Sequence, residues 1–256
     1  VAEVVVGDLS DELQHFLMTT ALLQVVTPRL AAVASGRSEV DTAYLISSVE
    51  HLALLTRLSD RAEPELRYHP LVREFLEARL LATHGVDLVS DIHRTIGRAL
   101  RSKDWATAAH HFRQGGDSAA MVSTVMAAIP TIMGRAQYSV AESFLRDVRD
   151  SQAQASSNLI LGRIGMQQGD FDGATRRAQA VLDGSADAVQ RDHALMNLLA
   201  VDFNYGNGDR ALTMARRLRD VTDDENLRSI ADATIRILTL TEERQLDSLS
   251  HHLQTM

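Results

Sequence analysis

Histidine is the residue type most able to do chemistry in this chain, which has ten histidines and no cysteine. Two pairs are adjacent in sequence, His110-His111 and His251-His252. Adjacent residues of a helix project in different directions, so neither pair can converge on one metal ion. No H-E-x-x-H segment occurs either. We therefore predict no metal site, and the lack of cysteine excludes disulfides.

The motifs of acid–base and phosphate chemistry are also missing. The acidic segments TDDEN (222–226) and EER (242–244) fall where helix starts or exposed turns are expected, and the helix dipole is a sufficient reason for carboxylates there. The chain contains no G-x-x-x-x-G-K-[ST] and no G-x-G-x-x-G, and its single lysine, Lys103, has no glycine-rich loop beside it. We predict that this chain is not an enzyme and carries no catalytic residue.

Composition places the chain among helical proteins of ordinary solubility. Its 256 residues can form one large domain or two smaller ones, and Ala and Leu, both strong helix formers, dominate. The net charge of −8 argues against a large surface for nucleic acid. No apolar run reaches the roughly 18 residues of a membrane span, and the start VAEVVVGDLSDEL does not resemble a signal peptide. We expect a cytoplasmic protein without membrane contact.

The N-terminal part, residues 1–86, has the outline of a winged-helix domain. Asp8 or Ser10 can cap a first helix, Pro28 opens a second that closes at Ser35-Gly36, and a third follows Asp41. The short apolar runs ALLTRL and LRYH flank the turn cluster DRAEPE, which predicts a β-hairpin. The third helix, DTAYLISSVEHL, has two acids and no Arg or Lys, so we expect it to contact protein and not DNA.

A further helix begins at Pro70, and its pattern predicts one apolar stripe formed by Leu71, Phe75, Ala78 and Leu81.

From residue 87 to residue 256 the sequence repeats. The segments DWATAA, QYSVAE and DFDGAT begin at Asp104, Gln137 and Asp170, 33 residues apart, and each has an aromatic second and an alanine fifth. Weaker copies follow from Asn207 and Arg244. A period near 34 in helical sequence is typical of tetratricopeptide-like helix pairs, in which the small residue permits close helix contact. We predict a right-handed superhelix of such pairs.

Three segments together resemble a known family. FLMTTALLQVVTPRLAAVASG, LRYHPLVREFL and IHRTIGRALRSKDWATAAHHFRQGGDSAAM are similar to the large ATP-dependent regulators of the MalT type, which are LuxR-family transcription factors among the signal-transduction NTPases. The resemblance covers residues 4 to 145. It implies an order of parts: a P-loop nucleotide-binding domain, a winged helix, a helical-repeat sensor and a DNA-binding helix-turn-helix. This chain supplies the middle two.

The resemblance also gives His69 a role. In related nucleotide switches a winged-helix histidine in a similar setting contacts the β-phosphate of ADP and holds the inactive state closed. His69, between Tyr68 and Pro70, matches that position, so ATP or ADP is implied for a longer protein and not for this chain alone. The alternative is that His69 only caps the hairpin and packs on the third helix.

The concave face of the repeats is the expected binding site for a small-molecule inducer or a regulatory protein or peptide. The candidate groove residues are Asn158, Arg163, Gln167, Asn197, Asp202 and Tyr205. The chain would then sense a signal and relay it to its own nucleotide-binding domain, with DNA contacted only by a C-terminal domain. The alternative function is a scaffold or adaptor that binds proteins without switching, and the alternative for each groove residue is a solvated helix face.

Overall fold

The chain folds into two compact units, Val1–Ala128 and Ile129–Met256. The computed structural model describes residues 6–50, 52, 54–59, 64–184 and 187–254, with side chains for all of these except 59 and 242–254. Within the described residues the chain forms thirteen helices and one two-stranded sheet, which confirms the predicted mainly α fold. The predicted domain boundary between residues 86 and 87 falls inside a long helix and stays a prediction.

The first unit begins with three short helices, α1 (Asp11–Thr20), α2 (Pro28–Ser35) and α3 (Glu39–Glu50). Ser10 caps α1, since its hydroxyl accepts a hydrogen bond from the backbone N–H of Leu13 at 3.4 Å. Thr27 caps α2 in the same way, and Gly36 ends that helix with a φ of 68°, which glycine adopts without strain. The Ser10 cap, the start of α2 at Pro28 and its end at Gly36 match the sequence prediction, whereas the Thr27 cap was not predicted and α3 starts two residues before Asp41.

The predicted hairpin is formed by β1 (Leu55–Ser59) and β2 (Glu65–Tyr68), which pair antiparallel. Most of the turn cluster DRAEPE, at 60–63, lies outside the described residues. Val26 bridges to Leu66 through two backbone hydrogen bonds of 2.8 and 2.9 Å, so the segment before α2 joins the edge of the hairpin. The hairpin is thereby attached to the helices by backbone pairing.

A buried tyrosine attaches the hairpin to α1 as well. The hydroxyl of Tyr68 lies 2.7 Å from Thr20 Oγ1, and the ring is buried. Burial raises the pKa of Tyr68, so the phenol stays protonated and can donate this hydrogen bond. The residue before His69 is therefore held firmly in the core.

Helix α4 (Pro70–Leu100) follows the hairpin, with a non-helical glycine inside it, Gly85, at a φ of 79°. The predicted inward stripe of this helix is wrong: Leu71, Ala78 and Leu81 are exposed and Phe75 is only half-buried. Leu76 and Leu80 are fully buried instead. The sequence carries two apolar stripes on neighbouring sides of the helix, and packing against α1 and α2 selects one of them.

Two helices complete the first unit, α5 (Trp105–Gln114) and α6 (Ser118–Ala127). Helix α5 packs closely on α4, because a Cβ at Gly97 would lie only 3.0 Å from ring carbons of Phe112. Ala108 and Ala109 are fully buried. Small residues thus set the distance between these two helices.

Seven helices form the second unit: α7 (Ile129–Gly134), α8 (Tyr138–Leu145), α9 (Ser151–Gln167), α10 (Phe171–Asp183), α11 (Ala188–Asn204), α12 (Gly208–Val221) and α13 (Glu225–Gln254). Successive helices from α9 to α13 pack against one another. Two described clusters of buried apolar residues lie between them, one joining α9, α10 and α11 and the other joining α11, α12 and α13.

The repeated motif marks the start of the second helix in each pair. Its aromatic residue is the first residue of α5, α8 and α10, namely Trp105, Tyr138 and Phe171, and each is half-buried. The alanine is fully buried in every described copy: Ala108, Ala141, Ala174 and Ala211. Aspartates at the motif's first position cap α5 and α10 through backbone N–H groups. The periodicity therefore identified real helix pairs.

Helices α9, α11 and α13 begin at Ser151, Ala188 and Glu225, 37 residues apart. The predicted copy from Arg244 does not open a new helix, because α13 runs through it to Gln254; its side chains lie outside the described ones. The right-handed sense of the superhelix stays a prediction.

Replacing Ala174 by leucine should destabilise the chain by about 1–3 kcal/mol, since extra methylenes at a closely packed helix contact force side chains and backbone to shift. Unfolding in urea, followed by circular dichroism, gives this free energy. Ala180→Leu on the same helix is the matched control, because Ala180 is exposed and should change stability by less than about 0.5 kcal/mol. Equal losses for the two variants would contradict the close helix contact.

Candidate functional site

His69 lies at the junction of β2 and α4, where the backbone is held on both sides. Its N–H donates to the Leu54 carbonyl at 3.2 Å, and its own carbonyl accepts from the N–H of Arg73 at 3.0 Å. Pro70 fixes the first helical residue. The side chain, however, is exposed and makes no capping hydrogen bond in the described structure. The imidazole is thus held in place by its backbone and directed to solvent.

The start of α4 suits an anion better than the starts of α1 and α3. Those two helices have acidic residues in the first turn, whereas the first turn of α4 has none and contains Arg73. Arg73 Nε lies 3.3 Å from Glu77 Oε1. A helix N-terminus with free N–H groups and no carboxylate in its first turn attracts phosphate groups. The junction can therefore donate hydrogen bonds to an anion, which is what the predicted role of His69 requires.

Helix α3 presents a different surface. Val40 and Tyr44 are 80% and 73% exposed, and its first turn carries Glu39 and Asp41. A cavity of about 540 Å³ lies beside this helix, bordered by α2 and the hairpin, and it is lined in part by Glu39 and Glu50. Exposed apolar side chains next to carboxylates fit contact with protein better than contact with DNA phosphates.

Of the six predicted groove residues, four have side chains at least partly accessible. Arg163 and Gln167 are exposed on α9, and Tyr205 is exposed at the end of α11, with its ring 4.9 Å from that of Phe171. Asn158 is half-buried and lines a cavity of about 390 Å³ formed by α9, α10 and α11. Gln190, on the same cavity, donates to the Gln152 carbonyl and to Ser156 Oγ, both at 3.1 Å.

The other two predicted residues are buried and already bonded within the protein. Asn197 Nδ2 donates to the Leu159 carbonyl at 3.0 Å, which joins α11 to α9. Asp202 Oδ1 lies 3.4 Å from Arg210 Nε, which joins α11 to α12. A polar side chain in a repeat helix can bond to a neighbouring helix as readily as it can bind a ligand. The sequence pattern alone does not distinguish these two roles. A ligand-binding role for the six residues stays a prediction.

A buried histidine pair is the feature that sequence reasoning missed. His93 on α4 and His111 on α5 face each other with their Nδ1 atoms 2.8 Å apart, and both rings are buried. The two histidines are 18 residues apart and come together because α5 folds back on α4, so no local spacing reveals the pair.

The hydrogen bond requires that the two Nδ1 atoms share a single proton. Nε2 of His111 is buried without a hydrogen-bond partner in the described structure. A buried nitrogen acceptor without a hydrogen bond costs less free energy than a buried N–H without one. We therefore place the proton of His111 on Nδ1, which leaves its Nε2 unprotonated, and we assign Nδ1 of His93 as the acceptor.

Burial lowers the pKa of His93 to about 4 and that of His111 to about 3. The neighbouring positive groups act in the same direction: His110 lowers the pKa of His93, and His93 and then His110 lower that of His111. The pKa of His110 is itself lowered by burial, then by Arg113 and Arg73. Both members of the pair are therefore neutral at physiological pH.

The residues that the structure describes contain no cluster of three or more His, Cys, Asp or Glu side chains able to hold a metal ion. None of their helices is long and apolar enough to cross a bilayer.

Comparison with known proteins agrees with the fold of the first unit. Residues 1–87 match the family model of the MalT winged helix domain. Residues 1–87 are therefore similar to the MalT winged helix domain, and this match confirms the predicted resemblance to MalT-type regulators for this part of the chain. Neither the curated proteins nor the solved structures gave a match to the chain.

The histidine pair should make the protein less stable in acid. Because the folded-state pKa values lie below the ordinary 6.5, the unfolded chain takes up protons first as pH falls. Stability contributed by the neutral pair is complete above about pH 6.5 and is lost progressively towards pH 4, at up to about 1.4 kcal/mol per pH unit for each histidine. Urea unfolding between pH 8 and pH 4.5 measures this slope.

The double variant His93→Leu/His111→Leu removes both titrating groups and should lose the corresponding part of the slope. His111→Leu alone leaves His93 Nδ1 without its donor and should cost about 1–3 kcal/mol at pH 8. An acid slope that is the same in the wild type and the double variant would show that other groups cause it.

Proposed function

We propose that this chain is the signal-receiving and relay segment of an ATP-dependent, LuxR-family transcriptional regulator. The observation that carries the proposal is the MalT winged-helix match over residues 1–87, followed in the same chain by stacked helix pairs. In this role the chain is not an enzyme. Nucleotide binding belongs to a P-loop domain and DNA binding to a helix-turn-helix domain, both outside the sequence described here.

The signal is received by the helix pairs of the second unit. The described side chains of helices α9 to α13 include exposed polar and apolar ones, and a cavity of about 390 Å³ lies between α9, α10 and α11. A small-molecule inducer or a regulatory peptide that binds one packing of these helices better than another shifts the equilibrium between the two. The protein acts in the cytoplasm, where its nucleotide and its promoter are found.

The winged helix is the part that meets the nucleotide. His69 is exposed, its backbone is fixed by Leu54 and Arg73, and the first turn of α4 lacks a carboxylate. These features support a hydrogen bond from the imidazole to an ADP phosphate in the closed, inactive state. The exposed Val40 and Tyr44 of α3 support a contact with protein at the same domain.

Thermal-shift screening of the chain against metabolites and peptides tests the sensor role. A true ligand at a hundred times its dissociation constant stabilises the folded state by about 2.7 kcal/mol. Hydrogen exchange should then show protection concentrated in α9 to α13. Protection confined to the winged-helix domain would contradict signal reception by the repeats, and the absence of any stabilising ligand would favour the scaffold alternative.

His69→Ala tests the nucleotide contact in a protein that joins this chain to its nucleotide-binding domain. We expect the variant to bind ADP at least about tenfold more weakly, since a hydrogen bond to a charged group contributes about 1.5–3 kcal/mol. Titration calorimetry with ADP gives the affinity. His84→Ala, which removes another exposed histidine of α4, is the control and should bind ADP like the wild type. Unchanged affinity in His69→Ala would leave His69 with the hairpin-capping role alone.

A further inference from the structure

Helix α4 is broken near its middle, between residues 70–84 and 86–100. Gly85 has a φ of 79° and a ψ of 172°, a backbone conformation that only glycine adopts without strain. A Cβ added there would meet nothing within 4 Å, so no close neighbour requires a glycine at this position. All residues from 81 to 88 are exposed. The break is therefore a property of the backbone at Gly85, and the side chains around it face solvent.

The two halves of α4 belong to different groups of helices. Before Gly85, Arg79 donates a hydrogen bond to Gln14 Oε1 of α1 at 2.9 Å. After it, Gly97 lies so close to α5 that a Cβ there would be 3.0 Å from ring carbons of Phe112. The winged-helix match ends two residues after Gly85. This glycine therefore joins the winged helix to the first helix pair.

The break brings α5 back towards the start of α4. In a straight helix Arg73 would lie about 30 Å from His93, since the 20 residues between them rise 1.5 Å each. His93 meets His111 of α5, and His110 is the next residue along that helix. Burial lowers the pKa of His110, and Arg113 and then Arg73 lower it further, which requires Arg73 to be near. Helix α4 is therefore bent back at Gly85, with α5 beside its first turn.

This bend places α5 near the proposed phosphate contact. Arg73 is four residues after His69, and its N–H donates to the His69 carbonyl at 3.0 Å. In the bent form α5 lies beside this start of α4, whereas in a straight form it would lie about 30 Å away. A change of backbone conformation at Gly85 would thus alter the surroundings of His69 from a distance of 16 residues.

A straight form of α4 is compatible with the same sequence. The segment LLATHGVD, residues 81–88, contains no proline, and a single glycine is tolerated inside a helix. Because its side chains are exposed, straightening this segment removes none of them from a core. The contacts that straightening gives up are those of α5 with the first turn of α4. The two forms therefore differ in few buried contacts near the break, as a hinge requires.

We propose that Gly85 is a hinge at which α4 changes between the bent form and a straight helix, and that this change carries the signal from the helix pairs to the winged helix. A signal that binds one form better than the other shifts the equilibrium between them. The relay rests on the proposed sensor role. The hinge itself belongs to this chain and is measurable without a signal.

Spin labels on the two halves of α4 test the hinge. The chain has no cysteine, so Glu74→Cys and Arg98→Cys, both at exposed positions, are labelled selectively. Electron–electron resonance then measures the distance between them. In a straight helix their Cα atoms lie about 36 Å apart, and the bent form gives a shorter distance. Gly85→Ala should increase the ratio of the long to the short distance at least tenfold, because alanine is strained in the bent form and favours a helix.

Thr83→Ala is the matched control, since it introduces the same residue where the backbone is already helical. It should keep the wild-type distances, and an unchanged distribution in Gly85→Ala would overturn the hinge. Since a Cβ at position 85 meets no neighbour, we expect the variant to fold, which circular dichroism melting checks.

Hydrogen exchange gives a second measurement without labels. The amides of residues 86–89 lie in the first turn after the break, where N–H groups lack partners within the helix. In Gly85→Ala they should exchange at least tenfold more slowly than in the wild type. Equal exchange in the two proteins would contradict a straight form.

Two outcomes separate the relay from the sensor role. In a protein that joins this chain to its nucleotide-binding domain, Gly85→Ala should change the affinity for ADP at least threefold, and Thr83→Ala should not. A changed distance with unchanged ADP affinity would refute the relay through Gly85. A ligand that stabilises the helix pairs but leaves the distance between the labels unchanged would also refute the relay, while the sensor role would stand.

Discussion

Close contact between helices at small residues is the constraint on which this structure depends. Ala108, Ala141, Ala174 and Ala211 are completely buried at equivalent points of successive helix pairs, and Gly97 gives Phe112 the same closeness between α4 and α5. A side chain of greater volume at such a point separates the two helix backbones. The sequence repeats because each helix pair needs the same small residue at its contact. The position of this residue fixes which face of each helix is buried, and so also which face is exposed.

The winged-helix domain depends on a second set of contacts, which hold one short segment from several sides. Tyr68 bonds to Thr20, Leu66 pairs with Val26, and the backbone of His69 bonds to Leu54. The backbone on both sides of His69 is fixed by hydrogen bonds. The imidazole therefore lies at the start of α4 although the side chain itself makes no capping hydrogen bond in the described structure. Rigid placement of one exposed polar group suits the phosphate contact that we propose for His69.

The proposed phosphate contact makes few demands on the chain. It uses a helix N-terminus and one imidazole, that of His69, and it requires a nucleotide held by another domain. The buried His93–His111 pair joins α4 to α5, and we predict that acid weakens this contact.

The sequence by itself determined the local elements, because their signals are local. Ser10 and Pro28 mark helix starts, Gly36 marks a helix end, and the motif's aromatic residue begins α5, α8 and α10. The family resemblance over residues 4 to 145 was also readable, since it rests on contiguous segments, and the family match over residues 1–87 confirms it for that part of the chain. Caps, turns and 33-residue spacing each depend on residues close together or at a fixed period.

Only the tertiary structure decided which faces are buried and which residues meet. Leu76 and Leu80 were chosen over Leu71 and Leu81 by the helices that pack on α4. Asn197 and Asp202, readable as ligand residues, are bonded to neighbouring helices. His93 meets His111 across two helices. These outcomes depend on the rotation of one helix against another, which is set by the sum of many contacts and leaves no mark at any fixed sequence spacing.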